Sequence, residues 1–251
     1  MDIIKRNFFN LLCNGAFGDN LPTEPMSQYK WNLLQTAAEE HQVAKIIASA
    51  KDGNSIIEYP SIPDAGLSRM SNTILNNRLV TIRENEPTAD DSSIETLNML
   101  DIIVQATEAL LSRGVIFGHI VRIGQYLRSD GDKIDYVKLD IWLRRLGIYR
   151  MSQLEASILV ALLGFEQDEI QFLTKMDDRG YTKAITALNA SIHRNPRGDD
   201  TQHEYAIFDN SGKSATWKSM CNACKYIPMA PIEAISFCTA KLIDKLSVPE
   251  E

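Results

Sequence analysis

Apolar residues recur at three- and four-residue intervals along most of this 251-residue chain, and glycine, proline or polar clusters cut the pattern into separate stretches. That spacing matches the 3.6-residue turn of an α-helix, not the two-residue alternation of a half-buried strand. Ile4, Phe8, Leu11 and Leu12 predict a first helix from Ile3 to Cys13, broken at Asn14-Gly15 and by the stretch Gly18 to Pro25. A second helix is expected from Ser27 to His41 on Trp31, Leu34 and Ala38, with Val43 to Ala50 as a short continuation. Lys51 to Gly66 reads as a loop with room for one short strand at Ser55 to Tyr59. From Leu67, residues Met70, Ile74, Leu75, Leu79 and Ile82 form another helical stripe, interrupted by Asn85 to Asp91.

Several later boundaries carry their own chemistry. Ser92-Ser93-Ile94-Glu95 has capping-box spacing, in which hydroxyl and carboxylate each satisfy a free N–H of the first turn. The helix it opens runs through Leu97, Leu100, Val104, Thr107 and Leu111 to Gly114. Ile116 to Leu127 follows, then a turn at Asp130-Gly131-Asp132. Asp135 is an N-cap candidate, with Ile134 and Leu139 placed for a hydrophobic staple and Val137, Ile141 and Leu146 as the expected core positions. Ser152-Gln153-Leu154-Glu155 repeats the capping-box spacing ahead of Ile158 and Leu162, and Gly164 closes that stretch. Tyr181 to Ile192, Ala215 to Tyr226 and Pro231 to Leu246 complete the helices; Arg194 to Asp200 reads as a surface loop and Glu204 to Phe208 as a short strand. The fold class expected is mainly α: an irregular multi-helix assembly with at most a few short strands. It forms one helical domain over 1–251, divisible into N-terminal helices (1–113) and C-terminal helices (114–251).

Apolar residues at 44% and charged residues at 24% are ordinary globular usage. A net charge of -7 argues against general nucleic-acid binding, which needs a basic surface. The apolar runs, such as Ile158 to Gly164, fall well short of the ~20 residues that span a bilayer. The first residues lack the basic start and continuous apolar stretch of a signal peptide, so the expected location is cytoplasmic.

Candidate chemistry is sparse. Cys221-Asn-Ala-Cys224 has zinc-ligand spacing, but no second pair stands at short range, so Cys13, Cys221, Cys224 and Cys238 are expected to be reduced and mostly buried. Asp130-Gly-Asp132 followed by Asp135 lacks the glycine and bidentate acid of a calcium loop. No phosphate-cradling glycine motif and no nucleophile elbow occurs. His41, His119, His193 and His203 are scattered without a visible acidic or nucleophilic companion. Arg144, Arg145 and Arg150 suit a helix C-terminus, and Arg194 and Arg197 sit in the expected loop. No residue is assigned as catalytic, metal-ligating or cofactor-binding, and no cofactor is expected.

The opening Asn7 to Phe17, Trp31 and the stretch Ala37 to Val43 resemble the N-terminal helices of a family of bacterial nucleotidyltransferases. Ile120 to Leu127, Ile134 to Tyr136, Trp142 to Ile148, Leu162 to Phe165 and Tyr226 to Pro231 resemble that family's C-terminal helices. The resemblance implies helical regions flanking a core in which Gly-Ser opens a helix and an Asp-x-Asp on a nearby strand holds Mg²⁺ for in-line phosphoryl attack. This chain has no Gly-Ser, its only Asp-x-Asp is the Asp130/Asp132 turn, and where the core would enter, between Leu111 and Ile120, one helix leads almost directly to the next. Gly124 and Gln125 stand where the family carries an acidic-aromatic pair. The expectation is therefore a non-catalytic helical binding or regulatory module, taking a protein partner or a small ligand in a groove between helices. The alternative is a transferase whose active site is dispersed or supplied by a partner.

Overall fold

A computed structural model describes residues 2–53, 68–193 and 215–247. They form eleven helices: α1 (Ile3–Phe17), α2 (Gln28–Glu40), α3 (Ala44–Lys51), α4 (Thr73–Asn85), α5 (Ile94–Arg113), α6 (Phe117–Asp130), α7 (Tyr136–Arg145), α8 (Tyr149–Leu162), α9 (Arg179–His193), α10 (Ala215–Cys224) and α11 (Pro231–Ser247). Among the described residues there is no strand, and the fold is mainly α. The stretches read as strands at 55–59 and 204–208, and the loop at 194–200 with Arg194, Arg197 and His203, lie outside the described residues. No described helix is long and apolar enough to cross a membrane.

The centre is α5, which packs against α6, α7, α8 and α10. From Met99 to Leu111 nearly every side chain of α5 is buried, Glu108 being exposed and Gln105 half-buried. Apolar side chains from Ile4 of α1 to Phe237 of α11 form one contiguous cluster around it. Phe8, Phe117, Met99 and Leu110 are among its fully enclosed members, and burying each such side chain contributes about 1.5–3 kcal/mol.

Helix starts follow side-chain caps, though not always those the sequence suggests. Asn72 accepts from Ile74 and Leu75 N–H at the head of α4, and Asp135 accepts from Val137 and Lys138 N–H at the head of α7. At α5 the cap is Ser93, one residue later than the expected box, and accepts from Thr96 N–H. The reciprocal carboxylate is not Glu95 but Glu86, whose Oε1 accepts from Ser93 N–H at 2.7 Å and from Lys138 Nζ at 3.0 Å. Thr96 Oγ1 in turn accepts from Asp135 N–H at 2.7 Å, tying the head of α5 to the head of α7.

Three expectations are corrected. Asn14-Gly15 does not end the first helix, which continues to Phe17 and stops at Gly18 with φ +73°. Gly15 is where α3 comes closest: a Cβ there would lie 2.3 Å from Ile46 O. Asn7, Asn10 and Asn14, on one face of α1, donate to the carbonyls of Glu24, Pro22 and Leu21 and hold the extended 19–26 segment against the helix. In α7 the phase differs: Val137 and Ile141 are 73% and 56% exposed, while Leu139, Trp142, Leu143 and Leu146 are buried. Those four make a complete i, i+3, i+4, i+7 stripe; the excluded pair lies on the opposite side of the helix. Finally, Ser152-Gln-Leu-Glu155 is no helix start. α8 begins at Tyr149, Ser152 Oγ donates to Tyr149 O at 2.8 Å, and the helix is buried from Met151 to Leu159.

Replacing Gly15 with alanine tests the α1–α3 approach. Alanine in an exposed helix interior gains about 1 kcal/mol over glycine. Here the methyl group meets a backbone carbonyl, so G15A is expected to lower stability by about 1–3 kcal/mol in urea unfolding, reversing the propensity effect. An unchanged or raised midpoint would refute so close a contact.

Candidate ligand-binding cleft

An open cleft of about 330 Å³ lies between the end of α6, the head of α7 and the segment that follows α8. Its aromatic wall depends on Gly124. A Cβ at that position would stand 2.8 Å from Phe165 Cζ and 2.9 Å from Leu159 Cδ2, so only glycine lets the Phe165 ring lie against α6. Phe165 also meets Phe17 edge to face, with centroids 5.1 Å apart at 82°. Over this pair lies Arg128, its guanidinium carbon 4.3 Å from the Phe165 centroid and 4.7 Å from that of Phe17.

Carboxylates surround that cation. Glu169 Oε2 accepts from Glu166 N–H at 2.6 Å, which fixes its side chain, and Oε1 faces Arg128 Nε at 3.8 Å. Asp19 stands 3.9 Å from the same guanidinium. Both distances are beyond hydrogen-bond range, so the pairs are loose. Asp132 and Asp168 also line the cleft. Tyr136 forms another wall and donates to Gly131 O at 3.1 Å; burial, then the nearby Asp132, pushes its hydroxyl pKa up. The Asp130-Gly-Asp132 turn divides: Asp130 pairs with Lys133 at 2.7 Å, and Asp132 faces the cleft. Among the described residues, no three His, Cys, Asp or Glu side chains are grouped to hold a metal ion.

Two buried polar arrangements escaped the sequence reading. Glu155 is wholly enclosed; Oε1 accepts from Thr107 Oγ1 at 3.1 Å, and Oε2 has no hydrogen-bond partner among the described residues. Burial pushes its carboxyl well above the usual range and so favours the protonated, neutral form. Burial and then Glu155 push the Tyr226 hydroxyl up to about 12. His41 is boxed by Phe8 and Phe117, and its Nε2 lies 3.1 Å from Ser191 Oγ. Burial lowers the His41 pKa to about 4. Among the described residues no acidic group orients the ring of this serine–histidine contact, and both residues are buried away from the cleft, so it is a packing contact. No sequence signal marked either pair, because each joins residues distant in the chain.

The remaining candidates are dispersed. His119 is half-buried, and burial, Arg113 and Arg122 lower its pKa to about 4; His193 is exposed at the end of α9. Arg144 pairs with Asp140 and covers the Tyr149 ring, and Arg150 donates to Pro228 O. The cysteines correct the expectation: Cys13 is buried, but Cys221 and Cys224 are exposed and Cys238 is half-buried. Their helix turns Ala223 inward instead. Comparison of the chain with protein-family models, with curated proteins and with solved structures finds no match.

The chemical character of the cleft is thus an acidic mouth with aromatic walls and one covered guanidinium. Glu155, by contrast, is a cost the core carries, and it sets a pH dependence. Its folded pKa lies above the ordinary 4.5, so the folded state holds the proton more tightly than the unfolded chain. Stability from this group is therefore present below about pH 4.5 and is lost as pH rises toward the folded value. Glu155→Gln keeps the shape and cannot ionise. Its stability relative to the native chain, read from urea unfolding, is expected to increase steadily as pH rises above about 4.5; a pH-independent difference would refute the buried neutral carboxyl.

Proposed function

We propose that this chain is a non-catalytic helical binding module whose cleft takes a small organic cation, of the polyamine or guanidinium class. The observation that carries this reading is the charge of the cleft: Asp132, Asp168 and Glu169 line it against the single guanidinium of Arg128. Phe17 and Phe165 lie beside that guanidinium. A cation supplies the missing positive charge, while the half-buried Tyr136 offers ring surface for its apolar body. A volume of about 330 Å³ lies at the small end of ligand pockets and suits a short amine. The carboxylates oppose a triphosphate, whose charge has the same sign. The helical elements of the nucleotidyltransferase resemblance then serve as scaffold, without that family's chemistry.

Calorimetric titration of the whole chain with spermidine, agmatine and MgATP separates the readings. Cation binding is expected, weakened by salt, and reduced about tenfold or more in an Asp132→Asn/Asp168→Asn variant, equivalent to about 1.4 kcal/mol. Both positions are exposed, so the variant retains the fold. Cation binding unaffected by the substitutions would place the site elsewhere. Metal-dependent turnover of the nucleotide would favour the transferase reading.

A further inference from the structure

Three of the chain's four cysteines sit on α10 and α11. Cys221 and Cys224 are one turn apart on α10, and Cys224 Sγ lies 4.0 Å from Cys238 Sγ of α11. We propose that Cys224 and Cys238 are a modification site: a thiol pair that closes to an intramolecular disulfide by exchange with a low-molecular-weight disulfide such as oxidised glutathione. A sulfur–sulfur bond is about 2.05 Å long, so closure brings the two atoms about 2 Å nearer, a displacement that side-chain rotation supplies.

The surroundings order the steps. Cys224 is exposed and reachable by a small oxidant. Cys238 is half-buried, and burial followed by the neighbouring Cys224 pushes its thiol up to about 11, so it stays protonated at neutral pH and does not react first. Burial, the largest cause, pushes the buried Cys13 up to about 12, which keeps it out of the exchange. The Cys224 thiolate attacks one sulfur of the small disulfide; that S–S bond breaks and one thiolate leaves. Cys238 then gives its proton to solvent and attacks Cys224 Sγ, breaking the mixed disulfide and releasing the second small thiolate. Two protein thiols are oxidised, and one small disulfide is reduced to two thiols.

Closure fastens two helices that hold others by their ends. Glu233 of α11 accepts from Ser71 and Asn72 N–H ahead of α4, and Asn72 Nδ2 donates to Ser236 Oγ at 2.9 Å. Asn222 of α10 donates to Leu110 O and Leu111 O at the end of α5, at 2.6 and 3.0 Å. The disulfide would thereby fix the α10–α11 pair against the ends of both.

The test incubates the full chain with graded ratios of oxidised to reduced glutathione and reads intact mass and non-reducing peptide maps. The expected product has lost two hydrogens, links Cys224 to Cys238, leaves Cys13 free and still forms in Cys221→Ser. Cys224→Ser abolishes it, and Cys238→Ser instead accumulates a glutathione adduct on Cys224. Oxidation should also lower the unfolded population about a hundredfold in urea unfolding, as expected for a link closing about fifteen residues. That change must be absent from Cys238→Ser. A stable glutathione adduct on the native chain, or a Cys221–Cys224 link, would overturn the proposal.

Discussion

A helix buried along most of its length must satisfy the polar groups it encloses without help from water, and α5 does so by fixing where its neighbours lie. Asp101 receives the Arg83 guanidinium of α4 and the Ser68 hydroxyl. Thr107 donates to Glu155 of α8. The carbonyls of Leu110 and Leu111 accept from Asn222 of α10, and the N-terminus is closed by Ser93 and Glu86, which also bring in Lys138 of α7. Apolar burial supplies most of the driving force, but it has no direction. These polar contacts have geometry, and they select which helix meets which part of α5.

The cleft belongs to a different regime. Its carboxylates face solvent, and Glu169, held by the Glu166 N–H, stays exposed as Asp132 and Asp168 do. What is rigid there is the aromatic base, where Gly124, Phe165, Phe17 and Arg128 fit together across α1, α6 and the segment after α8. Half-buried Tyr136 beside exposed acidic side chains gives a cation both a platform and a field.

The α10–α11 pair reaches the same central helix from its other end. Asn222 and Glu233 reach the ends of α5 and α4 through part-buried hydrogen bonds, so a covalent link between Cys224 and Cys238 would bear on those contacts. Exposed sulfur coupled to buried structure is the arrangement in which a small covalent change has a structural consequence.

Helical period, caps and stops were legible in the residues themselves: the stripes through α2 and α5, the Asp135 cap and the stops at Gly114 and Gly164 are all local. Local chemistry dictates them, because a helix bonds residues close in sequence. What the residues could not specify was the choice among equivalent local options. Glu95 and Glu86 are both able to close the α5 box, and the α7 face chosen was Leu139–Trp142–Leu143, not Val137–Ile141. Glu155 had the spacing of a cap and became a buried acid, while Cys221 and Cys224 had the look of core thiols and face solvent. The cleft was invisible for the same reason: Asp132 and Asp168 meet only after α6, α7 and the segment following α8 have packed. Sequence determined which segments are helices; tertiary packing alone decided which side of each turned inward, since burial depends on neighbours that periodicity does not name.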